Sequence, residues 1–411
     1  MLESTSKNRW SRVAFGDVVQ LSRERSTDPE EDGLERYVGL EHIEPGDLKI
    51  RRWGEIAEGT TFTNVFRAGQ VLFGKRRAYQ RKVAVADFDG VCSGDIYVLE
   101  PMNEYLLPEL LPFICQTDGF FEHAVGTSAG SLSPRTNWDS LASYEFALPP
   151  LEEQRRIATI FSACETLRAK LRDALDVGRR QAASLYWAFV TGQAFRGRTR
   201  DLAGWTHGRL PGIDQMPERW ALVRLTDVAK LQSGHTPSKR KPEYWDGGIP
   251  WISLHDTAAL DRPLISKTAQ SITKLGLANS SARLLPRGTV VLSRTASVGL
   301  SSVMSRDMAT SQDFANFICD EDRLLSVYLY YVFQAMKPYF RHVASGSTHK
   351  TVYLPFFEEM QILLPPMNQQ AEIVSRLADV DASLNALTKR SDDCQSLTRC
   401  LLARLLSGGI S

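Results

Sequence analysis

Residues 69–75 have a spacing that could support nucleotide chemistry. Two glycines and Lys75 stand at Gly-x4-Gly-Lys, the spacing of a phosphate-binding loop. The next residue is Arg76, although such a loop needs Ser or Thr there to ligate magnesium. A nucleotide-dependent enzyme acting through Lys75 is therefore kept only as an alternative.

Other motifs of catalysis or metal binding are missing from the sequence. It contains no His-Glu-x-x-His, no Gly-x-Ser-x-Gly and no Asn/Asp-Pro-Pro-Tyr/Phe signature of amino-methyltransferases. His342 and His349 have no Cys or carboxylate companion at ligand spacing, and the six cysteines form no Cys-x-x-Cys pair. We therefore predict no catalytic residue, no metal site and no cofactor.

Basic residues follow a predicted strand in the first half of the chain. Five cations and one aromatic ring stand close together there: Lys75, Arg76, Arg77, Tyr79, Arg81 and Lys82. The basic features of the second half are Lys239, Arg240, Lys241 and Arg294. Such side chains can neutralise phosphates and pair with base edges, so we predict DNA contacts at these positions, with a solvated charged surface as the alternative.

Two loops of small residues, 126–133 and 344–350, precede the ends of the two halves. Small residues let a backbone approach a DNA groove closely, and nearby polar side chains can bind phosphates or bases. The predicted DNA-contact residues in and beside these loops are Ser131, Arg135, Asn137, Ser347, Thr348, His349 and Lys350. A plain turn before a strand is the alternative for each.

Length and composition indicate an ordinary globular protein of more than one domain. The chain has 411 residues, 43% apolar and 24% charged, and a net charge of +1. This balance argues against a protein that coats nucleic acid indiscriminately, but it permits local basic surfaces. Because no long apolar run and no secretory signal are found, we expect a cytoplasmic protein without a membrane segment.

The elements that would position these residues occur twice. Leu-Pro-Pro-Leu-Glu-Glu-Gln at 148–154 returns as Leu-Pro-Pro-Met-Asn-Gln-Gln at 364–370, an offset of 216 (364 − 148). The openings at Trp10 and Trp220 share Trp, Val, Asp, Val and Leu at an offset of 210 (220 − 10). The second copy therefore carries a net six additional residues between its opening and its Pro-Pro, and the chain is an internal repeat.

Apolar patterns predict a mixed α/β domain, a head, in each copy. Buried strands are predicted at 69–73, 83–86, 288–292 and 302–304, and short buried helices in the aromatic segments 106–121 and 324–340. After each Pro-Pro, the apolar residues follow steps of three and four, which is typical of a coiled-coil helix. The predicted seam residues are Ile157, Ile160, Cys164, Leu167, Leu171, Ala174, Gly178 and Leu185 in the first helix, and Ile373, Leu377, Val380, Leu384, Leu387, Cys394, Leu401 and Leu405 in the second. Gly192 and Gly408 are expected to end the two helices.

The expected fold class is α+β, with two mixed α/β domains in tandem, each followed by a long helix. The two helices are expected to pair as an antiparallel coiled coil, because each seam needs a partner. The predicted boundaries are a first head at 1–148, a first helix at 149–195, a linker at 196–219, a second head at 220–364 and a second helix at 365–411.

The order of head and Leu-Pro-Pro-x-x-x-Gln helix, found twice with paired Trp openings, resembles the specificity subunit of type I restriction-modification systems. The resemblance covers nearly the full length. It implies that each head is a target recognition domain for one half of a bipartite, asymmetric site in double-stranded DNA. It also implies that the helices act as a spacer that docks two methyltransferase subunits, and through them the restriction subunits.

The methyltransferase subunits would bring S-adenosylmethionine and methylate adenine, so this chain itself would be non-catalytic. The alternative from a different class is a coiled-coil adaptor that scaffolds a protein complex without binding DNA.

Overall fold

The computed structural model describes residues 10–202, 212–346 and 350–406. The chain divides into two compact units, one formed by Met1–Asp173 with Thr388–Ser411 and the other by Ala174–Leu387. Each unit therefore contains one head and parts of both long helices. Within the described ranges, no helix is long and apolar enough to cross a membrane.

The first head is built from short strands and four short helices. Its elements are β1 (Ser11–Ala14), α1 (Phe15–Val18), β2 (Val19–Leu21), β3 (Arg36–Val38), β4 (Gly54–Glu55), β5 (Asn64–Phe66), β6 (Val71–Gly74), β7 (Val83–Val85), β8 (Gly90–Cys92), β9 (Ile96–Pro101), α2 (Leu111–Ile114), α3 (Asp118–Gly126), α4 (Trp138–Ala142) and β10 (Glu145–Leu148). The strands form sheets of order β2-β9-β6-β7 and β4-β3-β8-β5, and β1 pairs with β10. The first long helix, α5, spans Leu151–Val190.

The second unit repeats this plan with longer strands. Its elements are β11 (Thr199–Asp201), β12 (Gln215–Pro217), β13 (Ala221–Arg224), β14 (Ala229–Ser233), β15 (Trp245–Ile252), β16 (Leu264–Ile265), β17 (Gln270–Ile272), α6 (Lys274–Ala278), β18 (Val290–Ser293), β19 (Ser301–Met304), β20 (Ala309–Thr310), β21 (Phe314–Cys319), α7 (Ser326–Val343), α8 (Leu354–Glu359) and β22 (Gln361–Leu364). The second head runs from β13 to β22, with sheets of order β14-β21-β18-β19-β16 and β17-β15-β20. The second long helix, α9, spans Met367–Leu406.

The repeat extends to strand register. Ser11 pairs with Leu148 in the first head, and Ala221 pairs with Leu364 in the second, each in an antiparallel ladder of four residues. These ladders join the start of a head to the strand before its Pro-Pro. The predicted strands are confirmed as β6, β7, β18 and β19. The segment 324–340 was expected to form short helices, but it forms the single helix α7, whose aromatic face is buried.

Each unit has a core shared between a head and the long helices. In the first unit, Phe15 and Phe120 of the head cluster with Phe161 of α5 and with Leu402 and Leu406 of α9. In the second, the cluster of Phe317, Tyr328 and Phe333 includes Val190 of α5 and Ile373 and Leu377 of α9. Burial of these apolar faces fixes the helices against the heads.

The buried stripe of α5 differs from the predicted one. The sequence pattern placed Ile160, Leu167 and Ala174 on the seam, but Leu167 is 51% exposed, whereas Phe161, Leu175 and Ala182 are buried. Between Ile157 and Ala182 the stripe therefore steps by four and then by three, so the prediction was wrong by one residue at alternate positions. It was also wrong at Leu185, which is 39% exposed. At 160/161 and 174/175 both candidate residues are apolar, so packing partners decide between them. At 167/168 the inward residue is Arg168, which donates to the Gly46 carbonyl (2.5 Å).

The stripe of α9 follows the predicted phase only in its first part. Ile373, Leu377 and Cys394 are buried as expected. Toward the end of the helix the buried residues are Thr398, Leu402 and Leu406, whereas the predicted Leu401 and Leu405 are half-buried, so the prediction was wrong by one residue there. The Thr398 hydroxyl donates to the Cys394 carbonyl (2.9 Å). Helix α5 ends at Val190, and Gly192 follows with φ 78°, so its predicted role at the helix end is confirmed. Gly408 lies outside the described residues.

Candidate nucleic-acid interface

The basic turn of the first head packs against its small-residue loop. Beyond β6, the Lys75 amide donates to the Asp95 carbonyl (3.0 Å), and the Arg77 amide donates to the Pro134 carbonyl (2.7 Å). Arg76 and Arg135 face each other in an isolated antiparallel bridge. The structure therefore brings together two segments that the sequence separates, and we call residues 75–77 with 133–135 the first arm.

A carboxylate holds the two bridged arginines of the first arm. Arg76 Nη1 lies 3.2 Å from Asp95 Oδ2, and Arg135 Nε donates to Asp95 Oδ1 (2.9 Å). The second terminal nitrogen of Arg76 donates to the Ser133 hydroxyl (3.1 Å). The Asp95 side chain is 18% exposed, while those of Arg76 and Arg135 are 38% and 56% exposed. Both guanidinium groups are thus oriented and still accessible.

Lys75 and Arg77 occupy different environments on this arm. The Lys75 ammonium lies 4.5 Å from the centre of the Tyr97 ring. Burial lowers the pKa of Lys75, and the nearby Asp95 carboxylate partly opposes this by favouring the charged form. Arg77 is exposed and donates to the Ser133 hydroxyl (3.3 Å). Its backbone has φ 55°, a left-handed conformation that leads the chain out of the arm into the short turn Ala78–Gln80.

The remaining basic residues of the first cluster contact other parts of the head. Arg81 lies over the Phe121 ring (4.7 Å) and is 2.6 Å from an Asp118 carboxylate oxygen. Lys82 donates to the Leu40 carbonyl (2.6 Å). Arg81 and Lys82 therefore tie neighbouring elements together, whereas Tyr79 is 56% exposed.

Two predicted residues of the adjoining loop differ in role. Ser131 is exposed, next to Leu132, which is 91% exposed at the loop tip. The Asn137 side chain accepts a hydrogen bond from the Ser140 amide (2.7 Å) and caps helix α4. This hydrogen bond uses the side-chain oxygen of Asn137, so the side chain stabilises the start of α4.

The second head builds an arm with the same backbone plan. The Arg294 amide donates to the Asp313 carbonyl (2.9 Å), and the Ala296 amide donates to the Lys350 carbonyl (3.0 Å). Thr295 and Thr351 form the isolated bridge. We call residues 294–296 with 350–351 the second arm. It contains both Arg294 and Lys350, each of which the sequence analysis predicts to contact DNA.

The other predicted residues of the second head are distant in sequence from the second arm or lie outside the described residues. Lys239, Arg240 and Lys241 are exposed before β15, and Lys241 donates to the Tyr244 hydroxyl (3.0 Å). The same connection contacts the neighbourhood of the second arm, where the Thr236 hydroxyl donates to the Gln312 side chain (2.6 Å). The predicted loop residues Ser347, Thr348 and His349 lie outside the described residues.

Asp95 and its counterpart Asp313 were not identified from the sequence. A signal for them exists, because Ser93-Gly94-Asp95 precedes β9 and Ser311-Gln312-Asp313 precedes β21. An alignment of the two halves through these Ser-x-Asp triplets would have found both carboxylates.

The phosphate-loop spacing at 69–75 does not correspond to a loop. Val71–Gly74 is strand β6, and a Cβ on Gly74 would lie 2.9 Å from a Leu40 methyl carbon, so this glycine is required by close packing. Across the described ranges, no group of three or more His, Cys, Asp or Glu side chains could hold a metal ion.

Comparison with known proteins matches both copies. The family described as "Type I restriction modification DNA specificity domain" matches residues 7–176 and 217–393. The HindI specificity subunit of Haemophilus influenzae is 23% identical over 406 residues, which cover 84% of this chain and 87% of that protein. The MjaIX specificity subunit of Methanocaldococcus jannaschii is 30% identical over 182 residues, which cover 44% of this chain and 42% of that protein.

A solved structure from a study of complex assembly in the type I R-M system has the same fold. It superposes with a TM-score of 0.58 at 22% identity and covers 96% of this chain and 97% of its own. Two α/β heads stand in tandem, each followed by a Pro-Pro helix, and the family matches both copies. The chain therefore belongs to the type I restriction-modification DNA specificity family.

Proposed function

We propose that this protein is the DNA-specificity subunit of a type I restriction-modification complex and that its two heads recognise the two halves of a bipartite, asymmetric target. The observation that carries the proposal is the repeated arm. The same backbone hydrogen bonds hold Lys75–Arg77 in one head and Arg294–Ala296 in the other, with different side chains. Equivalent surfaces with unlike side chains suit two different DNA sequences.

The two long helices form the spacer between the half-sites in this proposal, as an antiparallel coiled coil. Contacts inside each unit support the antiparallel order. In the second unit, the Tyr186 hydroxyl near the end of α5 donates to the Asp381 carboxylate in the first half of α9. In the first unit, Leu402 and Leu406 near the end of α9 share a core with Ile157 near the start of α5.

The proposed division of labour follows the predicted boundaries. The heads are residues 1–148 and 220–364, the spacer helices are 149–195 and 365–411, and the linker is 196–219. Two methyltransferase subunits dock on the spacer, bring S-adenosylmethionine and methylate adenine, and restriction subunits join through them. This chain supplies recognition and assembly, and it acts in the cytoplasm, where the DNA lies.

The DNA-contact residues of the proposal are those of the two arms, above all Lys75, Arg76 and Arg77 in the first and Arg294 and Lys350 in the second. Their side chains are cationic, and each set lies on one connected surface of its head. Lys239, Arg240 and Lys241, which are exposed in the second head, are proposed as further DNA contacts.

Methylome sequencing tests the function. The chain is expressed with the adenine methyltransferase subunit of its own system in a host that lacks other adenine methylation. The expected result is methylated adenine in one bipartite, non-palindromic motif that disappears when this chain is omitted. If the assembled complex forms but methylates and binds DNA without a motif that depends on this chain, the protein is an adaptor and the proposal is wrong.

A further inference from the structure

The two arms correspond residue by residue through their backbone hydrogen bonds. Arg77 and Ala296 both have positive φ, 55° and 59°. Each donates its amide to the opposing loop, to Pro134 (2.7 Å) in the first arm and to Lys350 (3.0 Å) in the second. Arg77 is therefore equivalent to Ala296, and Pro134 is equivalent to Lys350.

The bridged pairs next to these residues are equivalent as well. Arg76 bridges Arg135 in the first arm, and Thr295 bridges Thr351 in the second. The Thr351 hydroxyl lies 3.4 Å from that of Thr295. Two long cationic side chains in one head are thus replaced by two short hydroxyl side chains in the other, on the same backbone.

The acidic residue beside each bridge differs in the same way. The Asp95 carboxylate binds Arg76 and Arg135. Its counterpart Asp313 accepts a hydrogen bond from the Ser311 hydroxyl (2.9 Å). The acid is present in both heads, but in the first it orients guanidinium groups.

A carboxylate partner is informative about what these arginines bind. It reduces the positive charge available to a phosphate, so it weakens a purely electrostatic contact. It also fixes the plane of each guanidinium group, which a directional, two-pronged hydrogen bond requires. An oriented arginine whose side chain remains partly exposed can offer its remaining N–H groups to the O6 and N7 acceptors of guanine in the major groove.

We propose that Arg76 and Arg135, oriented by Asp95, select guanine in the half-site of the first head, and that the Thr295 and Thr351 pair removes this selection in the second. The proposal rests on the proposed function, because it requires that the heads recognise DNA. Arg76 and Arg135 are the base-contacting residues and Asp95 is a positioning residue.

The test uses the assembled methyltransferase and duplexes in which each base pair of its methylated motif is varied. The variant R76T/R135T transplants the side chains of the second arm into the first. We expect guanine discrimination in one half-site to fall by roughly 10- to 100-fold, the range of one or two bidentate contacts. The other half-site stays unchanged and shows that the complex is folded.

The variant D95N separates positioning from charge. It keeps both arginines, so the salt dependence of binding is expected to hold or to steepen, while guanine discrimination declines.

R67T is the matched control, because Arg67 is a half-exposed arginine of the same head held by the carboxylates of Glu24 and Asp89. It should leave both half-sites and the salt dependence unchanged.

Two results distinguish failure of this inference from failure of the function. If R76T/R135T lowers affinity and salt dependence equally on every duplex but leaves the motif intact, the arginines bind phosphates and the inference is overturned. If the wild-type complex binds all duplexes equally, the proposed function itself is wrong, and the inference is overturned with it.

Discussion

The side-chain nitrogen of Gln154 donates a hydrogen bond to the backbone carbonyl of Pro149, the first proline of the joint between head and helix (2.8 Å). The same nitrogen donates to the Tyr105 carbonyl (2.7 Å), and the side-chain oxygen accepts from the Leu107 amide (2.9 Å). Gln154 is only 1% exposed. One buried amide therefore connects the end of β10, the start of α5 and a loop of the head.

Gln370 makes the same three contacts in the second unit. Its nitrogen donates to the carbonyls of Pro365 (2.9 Å) and Arg323 (2.8 Å), and its oxygen accepts from the Leu325 amide (2.9 Å). The Gln of Pro-Pro-x-x-x-Gln is therefore the structural lock of each joint. The spacing follows from helix geometry, since this residue lies one turn inside the helix and faces back toward the prolines.

We predict that Q154A loosens the first joint. The substitution leaves the buried Pro149 carbonyl and the part-buried backbone groups of Tyr105 and Leu107 without this partner. Each group that stays buried and unsatisfied costs roughly 1–3 kcal/mol. Hydrogen exchange of the protein in its methyltransferase complex should show faster exchange at the Leu107 amide, and chemical denaturation should show a lower free energy of unfolding.

Q370A is the matched variant and should accelerate the Leu325 amide instead. Q181A, at an exposed position of α5, should change neither amide. Equal protection of Leu107 in wild type and Q154A would show that the lock contributes nothing to the joint.

A second prediction concerns Arg77, the exposed arginine of the first arm. Its guanidinium donates to a hydroxyl, so it is suited to a phosphate rather than to a fixed base contact. R77A should weaken binding on all DNA sequences and reduce the slope of log affinity against log salt by about one unit. Titrations of the methyltransferase complex at several salt concentrations measure this slope.

R67A is the control for loss of one positive charge in the same head. A slope that R77A and R67A reduce to the same extent would assign the effect to net charge and contradict a specific phosphate contact at Arg77.

The features predicted from sequence were those encoded locally. Val71–Gly74 and Val290–Ser293 are apolar runs after glycine turns, and the long helices begin at the Pro-Pro pairs and carry a regular apolar stripe. Local pattern also located the basic turn at Lys75–Arg77, because its charges are consecutive.

The features that could not be predicted depend on distant residues. Asp95 holds Arg135 across 40 positions of sequence, and this pairing exists only once the loop folds back on the turn. The choice of Phe161 over Ile160 for the buried stripe depends on what packs against α5, since both side chains are apolar. The sequence alone does not predict the cap at Asn137, because Asn suits DNA contacts and helix starts equally well.

A third prediction gives the first head a pH dependence through His42. The Gly39 amide donates to His42 Nδ1 (3.0 Å), which requires the neutral imidazole. Burial lowers the pKa of His42 from its ordinary value of 6.5; Glu41 opposes this, and Arg52 adds to it. The unfolded chain therefore binds a proton more readily than the folded head. This contribution to stability is complete above about pH 6.5 and is lost as pH falls through the lower folded pKa.

The variant H42N checks this sign. Asn can accept the same hydrogen bond and does not titrate in this range, so its free energy of unfolding should fall less than that of wild type between pH 7.5 and 5.5. Denaturation curves at matched ionic strength give the difference. Parallel pH profiles for the two proteins would rule out His42 as the titrating group.

The last prediction concerns the spacer and depends on where a heptad is added. An insertion after Leu171 would move Arg172 away from the buried Asp47 carboxylate that it contacts, so it would disturb the first head.

In the second unit, a Cβ on Gly178 would lie 2.9 Å from the Leu384 side chain, which sets these two positions opposite each other. One heptad between residues 176 and 177 and one between 385 and 386 therefore lengthen both helices at the same level. Seven residues add about 10 Å. Because base pairs are stacked at about 3.4 Å, the methylated motif should gain one to three unspecified base pairs while both half-sites keep their sequence. A single heptad in α5 alone mismatches the stripes and should reduce assembly of the complex. Methylome sequencing of the doubly extended protein that shows an altered half-site with an unaltered gap would refute the spacer role of the helices.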